Sequence, residues 1–290
     1  MKNSIQLKIK FLVALLIISS ANSFAGGPWL QKKKHGFAQA QFIIPAYGYS
    51  SMLMGTLIKD LQGVNRKTIN ADFGIYLEYG ITDRLNVITS LPFKYVKTGE
   101  LTDQLYFENL LPEGELIGLS NYQLALKYGL IDKKVKLAVS LLSSWNTGRS
   151  DLDKGLATGY DAASIGLMAH VGRSKEKSYG FLEIGFHKFT NGFSDALEIN
   201  LEHGWKLGQR WNIAAALNAR HPLRNGDYYN ENLAQTGLYP NDQGWAAIGL
   251  KTSYETDSKW GFNAGIPLIP LRFKYVGFNG TVTLGVYKKF

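Results

Sequence analysis

Segments of roughly ten residues in which polar and apolar side chains trade places at every step recur about twelve times along this chain, the pattern of a strand with one greasy and one wet face. Successive side chains of an extended strand point to opposite faces, so strict alternation fixes a two-sided ribbon. From Lys67 to Gly80, Ile69, Ala71, Phe73, Ile75, Leu77 and Tyr79 alternate with Thr68, Asn70, Asp72, Gly74, Tyr76 and Glu78. Leu85, Val87, Leu91, Phe93 and Tyr95 oppose Asn86, Ser90 and Lys94, and Tyr122, Leu124, Leu126 and Tyr128 oppose Asn121, Gln123 and Lys127. Val135, Leu137, Val139, Leu141 and Trp145 interleave with Lys136, Ser140, Ser144 and Asn146. The same holds for Leu197, Ile199, Leu201 and Trp205 against Glu198, Asn200, Glu202 and Lys206, and for Val282, Leu284 and Val286 between Thr281, Thr283 and Gly285.

The connections between these segments alternate in length. Ile81-Thr82-Asp83, Ile131-Asp132-Lys133, residues 173–177, Gly208-Gln209 and Thr256-Asp257-Ser258 are short, whereas residues 45–66, 98–117, 147–160 and 221–243 are long. Short turns on one rim and long loops on the other describe an up-and-down barrel across an outer membrane, with both termini on the short-turn, periplasmic side. The predicted fold is therefore all-β: a transmembrane up-and-down antiparallel β-barrel of about 12 strands, the count being open by two. Interfacial belts favour Tyr and Trp. Tyr79, Tyr128, Tyr179, Trp205, Trp211, Tyr254, Trp260 and Tyr287 fall at expected periplasmic ends, and Tyr95 and Trp145 at expected outer ends. The chain closes on Phe290 after an amphipathic strand, a terminus suited to the barrel-assembly machinery, although Lys288 stands where an apolar residue is commoner. A soluble sandwich also alternates, but it gives no reason for belt aromatics or for two classes of loop.

Residues 1–25 read as a Sec signal peptide: Lys2, Lys8 and Lys10 precede the apolar run Phe11 to Ile18, and Ser23 and Ala25 supply the small-x-small pattern before cleavage. Residues 26–290 are then the barrel. The absence of Cys excludes a lipoprotein anchor, disulfides and thiolate metal sites. The formal charge of +9 includes the three leader lysines, which leaves 9 − 3 = +6 for the remainder. Apart from Lys32-Lys33-Lys34 both signs are interspersed, and no basic stripe with stacked aromatics marks a nucleic-acid partner.

Several stretches resemble the meta-pathway phenol-degradation, or transporter-like, family of bacterial outer-membrane barrels. They are Gly26-Gly27-Pro28-Trp29 with Lys34-His35-Gly36, Leu77 to Leu85, Gly118 to Tyr128, and Thr158-Gly159-Tyr160-Asp161, with a departure at Asn121 where the family more often has Asp. The resemblance implies passage of small hydrophobic or aromatic compounds across the outer membrane and supplies no binding residues.

The inward faces carry the candidate lumen-lining charges Asp72, Glu78, Glu183, Glu198 and Glu202 against Lys94, Lys127, Lys136, Lys206, Arg220 and Lys251. Their near cancellation argues against a strongly ion-selective pore. The hairpin at Thr190-Asn191-Gly192 is expected to bring Glu183 and His187 beside Glu198, Asn200 and Glu202, a group able to bind a cation or polar ligand unless lysines neutralise it. Tyr47, Tyr49, Met52, Met54 and Leu57, in an unusually apolar loop, are the candidates for a gate over the mouth. Glu100, Asp103, Glu108, Glu113 and Glu115 form an acidic loop that could bridge to lipopolysaccharide through divalent cations. No cofactor, resident metal or catalytic residue is expected; His187 and Thr190 do not share a face, as the pair of an outer-membrane phospholipase would. The reading is a channel or binding conduit for small solutes, with a surface-binding barrel as the rival.

Overall fold

The computed structural model describes residues 26–45, 50–54, 62–101, 111–274, 276–278 and 281–290. Twelve antiparallel strands form the wall: β1 (Gly36–Pro45), β2 (Gln62–Gly80), β3 (Leu85–Leu101), β4 (Tyr122–Asp132), β5 (Lys136–Trp145), β6 (Ser164–Ser174), β7 (Ser178–Phe189), β8 (Ala196–Leu207), β9 (Trp211–Pro222), β10 (Gly244–Glu255), β11 (Trp260–Lys274) and β12 (Thr281–Lys289). Each pairs with its sequence neighbours, and β12 returns to β1 from Phe37↔Lys289 to Pro45↔Thr281, which closes the sheet. The terminal Phe290 exchanges backbone bonds with Gly36 at 2.8 and 3.0 Å, so the last residue is part of the closure.

Closure follows from the solvent on the outside. Hydrocarbon offers backbone groups no partner, so a sheet survives there only without a free edge. The polarity of the wall is inverted relative to a water-soluble protein: on β6, Ile165, Leu167, Ala169 and Val171 are exposed while Ser164, Met168 and His170 are buried. Trp145, Trp205, Trp211 and Trp260 face outward near strand ends, at belt positions. Tyr179 and Tyr287 do not join the periplasmic belt that alternation assigned them; both turn inward, where their hydroxyls donate to Glu202 at 2.8 Å and Glu255 at 3.1 Å. A phenol with a carboxylate in reach gains more there than at a headgroup.

The wall is taller than a bilayer needs. At ~3.3 Å per residue and ~40° of tilt, the 19 residues of β2 climb ~48 Å against an apolar band of ~25 Å. Stretches read as loops are thus partly strand: Ser50–Met54 pairs with the outer end of β2 and with Val276–Phe278, and Gly114–Leu119 pairs with β3 from Thr98 to Phe93. Other outer loops fold inward. Ser150–Asp151 and Leu156–Ala157 form a small ribbon, and the helix α1 (Glu231–Thr236) is capped by Asn230, whose side chain accepts from Leu233 N. Leu156 and Leu238 pack on Val96 of β3 to make a hydrophobic seal beneath these loops.

Candidate functional site

Inward-facing positions of the twelve strands bring charges of both signs into a low-dielectric interior, where each must find a partner. Near the periplasmic end Lys127 and Glu78, each 2 % exposed, lie 3.7 Å apart. Glu78 also accepts from Asn86 at 2.7 Å and Tyr76 at 3.2 Å. Lys251 meets Glu202 at 2.9 Å. Nearer the outside, Lys94 pairs with Asp72 at 3.1 Å and donates to the Tyr239 hydroxyl from the loop above, while Arg220 lies 3.9 Å from Glu198. Lys136 stands apart: its partner is Asp132 across the hairpin turn, which puts it at the periplasmic rim rather than deep in the interior.

The group expected around Thr190-Asn191-Gly192 is assembled but divided. His187 approaches Glu198 at 3.4 Å, and Asn200 donates to Glu183 at 3.2 Å, yet Glu198 and Glu202 are already taken by Arg220 and Lys251. Among the described residues no three of His, Asp and Glu gather as metal ligands. Glu183 instead joins a relay that periodicity did not single out. His170 Nδ1 lies 2.9 Å from Glu183 Oε1, and His170 Nε2 lies 2.7 Å from Ser140 Oγ. The inward parity of His170 was the available signal. The order of groups matches a hydrolytic triad, but Ser140 is buried at 4 % exposure.

The periplasmic mouth is occupied by the segment before β1. Gly27 and Pro28 are buried, and Gly27 N donates to Glu183 Oε1 at 2.6 Å. Trp29 packs in T-shaped geometry on Tyr179 and Phe181, at 5.9 and 5.7 Å between centroids. Glycines in the wall make room: a Cβ at Gly129 or Gly172 would come within 2.9 Å of Leu30 or Pro28. The Gly26-Gly27-Pro28-Trp29 stretch is therefore a plug of the barrel.

The outer mouth is closed by aromatic packing. Tyr160 contacts Phe189, Phe193 and Tyr239 at 4.9 to 5.8 Å, and the Arg220 guanidinium stacks over Tyr160 and Phe189 at 4.8 and 4.9 Å. Asn121 fixes Tyr160: its Oδ1 accepts from Tyr160 N at 2.7 Å while Nδ2 donates to the carbonyls of Tyr160 and Ala162 at 2.8 and 3.2 Å. Burial raises the Tyr160 pKa, so the hydroxyl stays protonated and donates to Gln243 at 2.7 Å.

Of the gate candidates, Tyr47, Tyr49 and Leu57 lie outside the described residues, whereas Met52 and Met54 sit on the Ser50–Met54 strand instead of a loop. The acidic loop falls largely outside the described residues as well, and its Glu115 is engaged by Lys97 at 3.6 Å and Tyr95 at 3.0 Å.

Among the described residues, the β11–β12 ladder is shorter than its neighbours. Strand β11 pairs with β10 up to Lys274, but with β12 only from Trp260↔Lys288 to Gly265↔Thr283 among the described residues. Pro267 and Pro270 lie beyond that point, and proline brings no N–H to a ladder.

An outer membrane channel from Pseudomonas putida F1 superposes on this molecule with a TM-score of 0.66 over 94 % of this chain and 100 % of that one, at 13 % identity. The fold is that of a bacterial outer-membrane barrel. With its apolar outer face, such a barrel belongs in the outer membrane. The P. putida toluene transporter TodX (TM-score 0.44, 9 % identity, 90 % and 91 % of the two chains) and the CymD monoaromatic hydrocarbon channel (0.42, 12 %, 90 % and 89 %) are also similar, too loosely to bear on the fold. No protein-family model and no curated protein sequence matches the chain.

Proposed function

We propose that the protein passes small hydrophobic solutes, single aromatic rings among them, across the outer membrane. The observation that carries this reading is the short β11–β12 ladder among the described residues, beside an interior packed at both mouths. Among the described residues, packed ion pairs and two seals stand in the way of a hydrated solute. An apolar solute needs no water path, since a parting of the wall where this ladder ends would let it leave sideways into hydrocarbon. The resemblance of Gly26-Gly27-Pro28-Trp29 and the Gly118 to Tyr128 stretch to the phenol-degradation family supports the same solute class. Uptake of radiolabelled toluene and of a small sugar should be compared in proteoliposomes. Toluene transfer well above protein-free vesicles, with sugar flux near background, is expected. Equal flux of both, or of neither, would sink the reading, the second result favouring a barrel that works through its surface loops.

A further inference from the structure

Glu183 differs from every other carboxylate held inside the barrel. Asp72, Glu78, Glu198 and Glu202 each have a lysine or arginine within 4 Å, whereas among the described side chains Glu183 makes its one ion-pair contact with His170, a cation solely when protonated, and Lys127, already paired with Glu78, acts on it only from farther off. A buried carboxylate without its own counter-charge is costly, and among the described side chains of the interior the acids named here outnumber their lysine and arginine partners by one. The acceptor count leaves the same gap. An ionised carboxylate takes about four hydrogen bonds, and Glu183 receives three, from Gly27 N at 2.6 Å, His170 at 2.9 Å and Asn200 at 3.2 Å. Beside it lies a small cavity of about 40 Å³ bordered by Gly26, Asn200, Glu202 and Lys251. A Cβ on Gly26 would fall 3.3 Å from Glu183 Oε1, which puts this residue's backbone against the carboxylate.

We propose that export completes this interior: removal of residues 1–25 leaves a free α-ammonium on Gly26 that takes the open acceptor place on Glu183 and locks residues 26–34 in the periplasmic mouth. The Gly26 nitrogen is one residue from the Gly27 N–H already bound, so a single carboxylate clasps two successive nitrogens. Cleavage replaces an uncharged amide by a cation beside the carboxylate that has no lysine or arginine of its own among the described side chains. An uncleaved or extended chain has no such charge and must carry further residues into a cavity with room for little more than an ammonium group. The plug is then a product of maturation, and His170 bridges Glu183 at Nδ1 and Ser140 at Nε2.

The inference rests on cleavage after Ala25, which intact mass and the N-terminal residue of protein purified from outer membranes test directly. Amine-selective acylation near neutral pH follows, on folded and on urea-unfolded mature protein. A first residue of Gly26 and labelling of its α-amine at least tenfold slower in the folded state are expected. The plug itself is read through Leu30→Cys, a unique thiol in a chain without cysteine. With the mature N-terminus this thiol should be shielded from a charged thiol reagent. With Met-Ala added before Gly26, or with Glu183→Gln, it should react at least fivefold faster. The extension leaves the wall untouched, so it decides the matter even where Glu183→Gln fails to fold. A start other than Gly26, an α-amine equally reactive folded and unfolded, or a thiol indifferent to the extension would overturn the proposal. These readouts stand whether or not toluene crosses the barrel.

Discussion

Asn121 spends both ends of its amide on the backbone of the outer loop, one oxygen accepting from Tyr160 N and one nitrogen donating to two carbonyls. Aspartate matches its shape but not its chemistry, since a second carboxylate oxygen would replace the donor and face those carbonyls. Asn121→Asp should therefore destabilise by roughly 1–3 kcal/mol, the scale of leaving buried polar groups unpaired. The check is the urea midpoint of refolded protein, and an unchanged midpoint would refute this account of the position. A larger effect belongs to Lys127, whose removal strands Glu78 in a site 2 % exposed. Lys127→Met alone should cost about 3–5 kcal/mol, while Lys127→Met with Glu78→Gln should recover most of it, because breaking a buried pair costs more than replacing it. Equal losses in the single and double variants would show the pair to be unimportant.

Individual strands carry their own prediction, since each lives between lipid and a wet interior. Leu141 faces outward midway along β5, opposite Leu167 on β6, whose side chain is 65 % exposed. Leu141→Arg should destabilise by about 2–4 kcal/mol in phospholipid bilayers, the range for a cation on the lipid face near the midplane. In a water-soluble sandwich the same exposed leucine would tolerate arginine, so a negligible loss would contradict the membrane orientation. It was at this level that the sequence was most legible. Period-two alternation fixes strand, face and register together, which is why the inward parity of Glu78, Lys94, Lys127 and Glu183 could be read without a structure. Alternation is silent on segments that leave the wall. The inward fold of Leu156 and Tyr239 and the plug at Gly27 depend on tertiary packing in the interior, and the turn of Tyr179 toward Glu202 on the adjoining strand depends on a rotamer that alternation does not report. Polar residues of mixed sign, read as a lumen lining, likewise gave no hint of how fully they would neutralise one another.

The whole molecule presents two seals in series, residues 26–34 at the periplasmic mouth and the Tyr160 cluster with α1 at the outer one. Resistances in series add, so removing one seal cannot lower the total below the resistance of the other. Deleting residues 26–34 spares every wall strand, and the β1–β12 closure should hold the barrel intact. Small-ion conductance in planar bilayers should then rise only modestly, by about twofold if the two seals are comparable. Deleting residues 150–157 alone should do about as little, because Gly27 and Trp29 still fill the other end. The double deletion should exceed the product of the single effects, since only then does a water-filled path connect the two sides. Porin-like conductance from the first deletion alone would mean that the outer loops do not close the lumen, and it would restore a direct aqueous route for polar solutes.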